Sequence, residues 1–337
     1  MKNSGPITVY TKHEKTEHHN YQYYFHKALE RILYVKTKKY QSITEIEVIH
    51  GSVLLVNWPE EILDWSVSDS AAQEAIRHLK DLKKDGLKIF YIWHNTRAHH
   101  NTEGKSNLYE WFQQNSSFIL CLNSRTLKYC KHYEVKCAMS LHPFMYNNFP
   151  AVRDEGLLIY GRLRHRSEYL KLLVATWTAH IYNREVFVGS LPAVNARGIF
   201  TKLVINFLPN APNIHLHVGF LNGAVEHSFW KKSKTVVTFR NAKHENSGVL
   251  INALSEKRRI IIGNCGSAGD YENLKAVSVF GNIIEMIQAI IKDSKTAYES
   301  EQFEEQDYID IKAQSSSSKF AKALENGLSQ IYNSKEE

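Results

Sequence analysis

A strand–helix rhythm runs through most of the 337 residues and starts afresh after Pro150. Val53–Val56, Phe118–Leu122 and Gly156–Tyr160 read as strands, and the dense apolar run Leu87–Trp93 has the character of a buried parallel strand. Stretches with helical spacing separate them. Tyr21–Tyr34 places Tyr21, Tyr24, Phe25, Leu29, Ile32 and Leu33 on one stripe. Ala71–Lys84 reads as a helix capped by Asp69 or Ser70 and stopped at Gly86, and Glu47–Ile49 reads as a further strand. After Pro150 come a helix over Ser167–His180 with Leu170, Leu173, Val174 and Trp177 inward, and a helix over Ala196–Phe207. Strands at Ile214–Val218, Lys234–Phe239 and Arg259–Ile262, and a helix from Ser247, complete the series. Alternation of this kind predicts an α/β protein with two doubly wound, Rossmann-like domains. Ligands of such sheets sit beyond the carboxyl ends of the strands, and here that means a cleft between the domains. The expected boundaries are 1–150, 151–295 and a helical tail over 296–337. In that tail the acidic Tyr298–Asp310 precedes a serine-rich link and an amphipathic helix carrying Phe320, Leu324, Leu328 and Ile331.

Composition narrows the function. The 42 basic and 35 acidic residues leave +7, which keeps nucleic acid, an anionic membrane surface and a phosphate-bearing substrate open as partners. No apolar run reaches the roughly 18 residues of a membrane span, and Met1–Tyr10 lacks a signal-peptide core. Four cysteines without a CxxC pair fit reduced thiols in a cytoplasm. The histidine pairs His18-His19 and His99-His100 read as solvated surface rather than metal ligands, because neighbouring side chains diverge on either kind of element. No GxGxxG follows a predicted strand, which argues against a dinucleotide dehydrogenase.

Polar and aromatic groups gather at the predicted strand ends. Asn57-Trp58-Pro59-Glu60-Glu61 follows one strand, and Trp93-His94-Asn95 through His99 and Asn101 follows another. An indole or imidazole there can stack on a sugar ring, and His94 or Glu60 can accept a hydroxyl proton. Core packing is the competing reading of Trp58 and Trp93. In the second half, Tyr160-Gly161-Arg162-Leu163-Arg164 sets arginines at a strand mouth, where they can neutralise a leaving diphosphate. His244-Glu245-Asn246-Ser247-Gly248-Val249 opens a helix that also carries Asn252; free amides and the helix dipole there suit a diphosphate.

The order NWPE, WHNxxxHxN, a mid-chain HP, YGRLR and NSGVLINALS, spread over roughly residues 45–291, resembles bacterial GT-B glycosyltransferases near the family 4-like group that builds surface polysaccharides. The resemblance implies the GT-B fold, with an acceptor-binding first domain, a nucleotide-sugar-binding second domain and a last helix that crosses back. It also implies transfer of a sugar from a UDP- or GDP-sugar to a glycan or lipid-linked glycan acceptor. Gly161, Arg162, Arg164, His244, Glu245, Asn246, Ser247, Gly248, Val249 and Asn252 would face the donor, with Glu245 also near the reacting sugar. His94, with Glu60 as alternative, would be the base, and Trp58, Asn95 and His99 would face the acceptor. The paired glutamates of many retaining members are missing, since His244 and Asn252 stand in those slots. No DxD motif lies at a strand end, so no metal or other cofactor is expected. The cytoplasm, at the inner face of the membrane, is the location the resemblance implies. An inactive binding protein of the same fold, and a basic nucleic-acid-binding or -modifying protein, are the rival readings.

Overall fold

A computed structural model describes residues 6–12, 20–49, 51–66, 68–95, 103–143, 156–161, 163, 165–191, 198–219, 223–240, 246–296 and 303–333. In chain order the strands are β1 (Ile7–Thr11), β2 (Val35–Lys39), β3 (Ser52–Val56), β4 (Lys88–Trp93), β5 (Phe118–Cys121), β6 (Cys137–Met139), β7 (Gly156–Ile159), β8 (Val186–Leu191), β9 (Ile214–Val218), β10 (Ser233–Thr238), β11 (Arg259–Gly263) and β12 (Val277–Phe280). The helices are α1 (Asn20–Leu29), α2 (Asp69–Lys84), α3 (Glu103–Asn115), α4 (Ser124–Cys130), α5 (Arg166–Ile181), α6 (Ile199–Asn206), α7 (Gly223–Lys232), α8 (Gly248–Ser255), α9 (Ile283–Thr296), α10 (Phe303–Gln314) and α11 (Ser317–Asn333). They form two compact units, one of Met1–Pro143 with Gln314–Glu337, the other of Phe144–Ala313.

The first unit is built on a six-stranded sheet of order β2-β1-β3-β4-β5-β6, every pairing parallel. The central strands β3 (SVLLV) and β5 (FILC) are buried at every residue, so both faces of the sheet carry core. β2 (VKTKK) lies at the sheet edge, where its lysines project to solvent and block further pairing. That strand displaces the end of the helix expected over Tyr21–Tyr34: α1 stops at Leu29, and Leu33 is 99% exposed. Glu47–Ile49 is no strand; it runs into a turn at Gly51, whose φ is +82°, with the Ile49 amide bonded to Ser52 Oγ. α2 is capped one residue earlier than expected, by Ser68 Oγ on the Ala71 amide. Asp69 instead accepts the Gly104 amide at 2.9 Å and ties α3 to α2.

α11 belongs to this unit and packs on α1, β4, β5 and β6. Its buried stripe is Phe320, Leu324, Leu328 and Ile331. Gly327 lets it come close: a Cβ there would lie 2.6 Å from the Phe90 ring and 2.7 Å from that of Phe118.

The second unit repeats the design with order β12-β11-β10-β7-β8-β9, again all parallel. At the amino ends of its strands the buried Asp293 carboxylate takes hydrogen bonds from Arg184, Thr235 and Arg259, which satisfies three polar side chains inside the core. α5 turns a different face inward from the one expected. Tyr169, Leu172, Ala175 and Ala179 are buried, Leu173 and Val174 are half-buried, and Leu170 and Trp177 are exposed. The helix is apolar almost all round, so its spacing does not select a face. α6 begins at Ile199, and α7, with Trp230 buried, is an additional helix. The acidic stretch expected as tail is largely helical: α10 places Ile311 in the core and lies with α9 in the second unit.

Candidate active site

Parallel pairing brings the carboxyl ends of β3, β4 and β6 to one edge of the first sheet, and the candidate residues follow directly from those ends. His94 succeeds the buried β4 and is itself buried. Its ring stacks on Trp58 with centroids 4.4 Å apart and planes at 28°. Tyr21 of α1 meets His94 edge-on at 4.6 Å and touches His142, beyond β6, at 4.7 Å. The Tyr21 hydroxyl donates to Asn57 Oδ1 at 2.9 Å, and Phe320 of α11 closes the outer side of Tyr21 at 6.4 Å. His142 Nδ1 donates to the Pro143 carbonyl at 3.1 Å, which leaves Nε2 as its acceptor nitrogen when the ring is neutral. Three rings from separate segments, with Phe320 behind one of them, thus hold the His94 imidazole in one orientation.

Two carboxylates follow Trp58 in the chain. Glu60 and Glu61 sit on a 3-10 turn over Pro59–Leu63 and are both buried. The Tyr109 hydroxyl of α3 donates to Glu60 Oε2. Burial, and after it the Glu60 charge, pushes the Tyr109 and Tyr91 hydroxyls far up; burial and the Glu61 charge do the same for Tyr21. Lys105, one turn before Tyr109 on α3, is fully buried as well. Glu60 is enclosed and bonded to Tyr109, while His94 stands at the strand end. Trp93 lies in the core, whereas Trp58 and Asn95 are half-buried.

In the second unit the candidate residues again collect at strand carboxyl ends. Gly161 follows β7 with φ +116°, a conformation only glycine adopts readily. A Cβ on it would lie 3.4 Å from Thr238 Oγ1 at the end of β10 and 3.6 Å from Val249 Cγ2 in the first turn of α8. Ser247 caps α8 by accepting the Leu250 amide at 3.3 Å, and its own amide donates to Ser267 Oγ at 3.2 Å. Gly248 is exposed, and among the described residues no side chain or packed backbone atom from outside its own stretch of chain lies within 4 Å of where its Cβ would be, so none of them covers the helix start on that side. Asn246 is half-buried beside it. One turn on, Asn252 Oδ1 is buried and accepts no hydrogen bond among the described residues. The structure therefore brings Gly161, Ser247, Gly248 and Val249 together. Arg162, Arg164, His244, Glu245 and His99, like His18-His19 and His100, lie outside the described residues.

Sequence reasoning did not pick out Tyr21, Glu61, Lys105, Tyr109 or His142 as site residues. His142-Pro143 had been visible as a short motif, but Tyr21 has the spacing of an ordinary core residue. Lys105 and Tyr109 sit in a mixed-polarity helix that gives no warning of burial.

Two six-stranded parallel sheets with this order are the GT-B fold, and solved structures of that fold match the chain. S. aureus TarM, solved as a point mutant with fondaparinux, α-GlcNAc-glycerol and UDP, matches with a TM-score of 0.63 and 13% identity. The match covers 87% of this chain and 57% of TarM, so the chain spans little more than half the length of that protein. Sucrose-phosphate synthase from Thermosynechococcus elongatus matches with a TM-score of 0.66 and 9% identity, over 98% of this chain and 100% of that one. HepE from Anabaena, solved with UDP, matches with a TM-score of 0.66 and 8% identity, over 97% and 100%. No protein-family model and no curated protein matches the sequence.

Proposed function

We propose that this protein is a glycosyltransferase that moves a sugar from a nucleoside-diphosphate sugar, with UDP or GDP as carrier, to an acceptor hydroxyl. The observation that carries the reading is the open start of α8 against Gly161 in a GT-B unit. There the first-turn amides and the positive helix end meet the place where a diphosphate would lie. Fold neighbours solved with UDP support the choice of ligand. Arg162 and Arg164, which follow Gly161 in the sequence, would add the charge that a departing diphosphate requires.

In the proposed reaction the acceptor oxygen bonds to the anomeric carbon while the bond from that carbon to the diphosphate oxygen breaks. The electron pair leaves with the diphosphate, whose growing charge the α8 amides and the arginines stabilise without a metal ion. His94 takes the acceptor proton. Its ring is already fixed by Trp58, Tyr21 and His142, so little reorganisation is needed on binding. Trp58 and Asn95 offer a stacking face and a polar edge to a sugar acceptor. Glycan assembly at the inner face of the membrane is the setting this reading favours.

Thermal-shift screening against nucleoside diphosphates and their sugars tests the reading, because a ligand of the native state raises the melting temperature. Stabilisation by one diphosphate series, followed by transfer to a glycan acceptor, is the expected result. Tight binding with neither transfer nor hydrolysis for any acceptor would instead favour an inactive binding protein. Salt-sensitive binding of nucleic acid, with no response to sugar nucleotides, would favour the nucleic-acid reading.

A further inference from the structure

α5 buries one apolar face and leaves another open. Leu170, Trp177 and Ile181 recur on its outer side, and Ile199, Leu203 and Phe207 recur every four residues along and just beyond the neighbouring α6. All six are between 43% and 81% exposed. Trp177 Nε1 donates to the Phe207 carbonyl at 2.9 Å and joins the two stripes into one continuous patch. A contiguous apolar face of this kind on a folded unit marks a contact surface.

The chain segment that carries it is poor in acid. From Arg166 to Val218 the sequence holds only two acidic residues, Glu168 and Glu185. Glu168 is buried and its carboxylate accepts the His165 amide at the start of α5; Glu185 is bonded to His215 at 2.8 Å. Arg166 and Lys202 are exposed at the patch. Lys171 is half-buried over the Phe280 ring at 5.3 Å, and the Arg166 guanidinium lies over Phe200 at 5.8 Å.

We propose that the outer face of α5 and α6 docks on an anionic lipid bilayer, with the cations against the headgroups and the apolar side chains in the acyl boundary. Trp and long cationic side chains suit that boundary, being apolar along most of their length and polar at one end. Each added cation near an anionic surface strengthens attachment by about fivefold. Among the described residues no helix is long and apolar enough to cross a membrane, so the contact is lateral. A second copy is the weaker occupant, because a two-fold contact would bring two copies of the same basic stretch, with Arg166 and Lys202, together.

The inference depends on neither the donor site nor the proposed reaction, so its test stands apart from theirs. The full chain is sedimented with vesicles of phosphatidylcholine, with and without phosphatidylglycerol, at low and high salt. The wild type is expected to bind only the phosphatidylglycerol vesicles, and less at high salt. Leu203→Glu with Phe207→Glu should weaken that binding about tenfold or more, with an unchanged melting temperature because both side chains are exposed. Lys202→Glu should weaken it by a smaller factor. Equal binding to both vesicles, no binding to either, or a double variant that binds like wild type would overturn the proposal. So would a wild-type dimer in sedimentation velocity that the double variant converts to monomer, because a second copy would then cover the face.

Discussion

His94 owes its orientation to its neighbours. The apolar run of β4 ends at Trp93, and the imidazole that follows is clamped between the Trp58 face and the Tyr21 edge. If this ring takes the acceptor proton, His94→Ala should reduce turnover by roughly 100-fold or more while leaving the donor dissociation constant within about twofold. Steady-state kinetics alongside calorimetric donor titration separates the two; a variant that lost donor affinity alone would remove His94 from the acceptor side. The buried tyrosines in and near the aromatic box around His94 make a second prediction. Tyr21, Tyr91 and Tyr109 all have hydroxyls pushed up by burial, with the nearby glutamate charges adding to it. The unfolded chain therefore releases these protons at lower pH than the folded one does. Their contribution to stability is intact below about pH 10 and is lost as the pH rises beyond it. Denaturant midpoints measured from pH 8 upward should fall, with a limiting slope of about 1.4 kcal/mol per pH unit for each such tyrosine. A flat profile to about pH 11.5, well past the ordinary tyrosine range, would show that these hydroxyls are not shielded.

Elements differ in how openly the sequence declares them. β3, β4 and β5 are legible because strands buried on both faces must be apolar without interruption. β2 is hidden by its lysines: an edge strand pairs through its backbone and needs no apolar side chains, so VKTKK reads as polar chain. α5 is legible as a helix but not in its orientation, since apolar residues on both sides leave no periodic signal, and the outward set came to light only in three dimensions. The open start of α8 was legible because Ser-Gly before an apolar helical run has a local cause, the serine side chain bonding the Leu250 amide. Ser247→Ala should cost about 1 kcal/mol of stability, and donor affinity should fall with it; chemical denaturation and UDP titration read the two effects. In α11, Gly327→Ala sets the usual gain of about 1 kcal/mol in helix propensity against a methyl pressed into two buried rings. The packing cost of about 1–3 kcal/mol should win. Because Phe320 on the same helix borders Tyr21, the loss should be accompanied by lower turnover. A stabilised variant would mean that the helix shifts freely over the sheet.

At the scale of the whole molecule, the two units share one plan. Each is a parallel six-stranded sheet whose carboxyl edge collects the chemistry. The first gathers rings, carboxylates and an oriented imidazole, the set on which the proposed acceptor role rests. The second gathers a positive-φ glycine and a helix start with open space beside it, as a diphosphate requires. The two doubly wound sheets were legible from the strand–helix rhythm, and the GT-B fold from the order of the strand-end motifs. The acceptor box was half legible, because Tyr21, Tyr109 and His142 come from separate elements and meet only through long-range packing. The central claim concerns the second unit, and calorimetric titration of the full chain with uridine, UMP and UDP, and with the guanosine series, tests it most directly. For one base, affinity should climb with each phosphate, and the diphosphate should bind at least about tenfold more tightly than the nucleoside, or by roughly 1.4 kcal/mol. A nucleoside that binds as tightly as its diphosphate, or a chain that binds none of the six, would contradict the assignment.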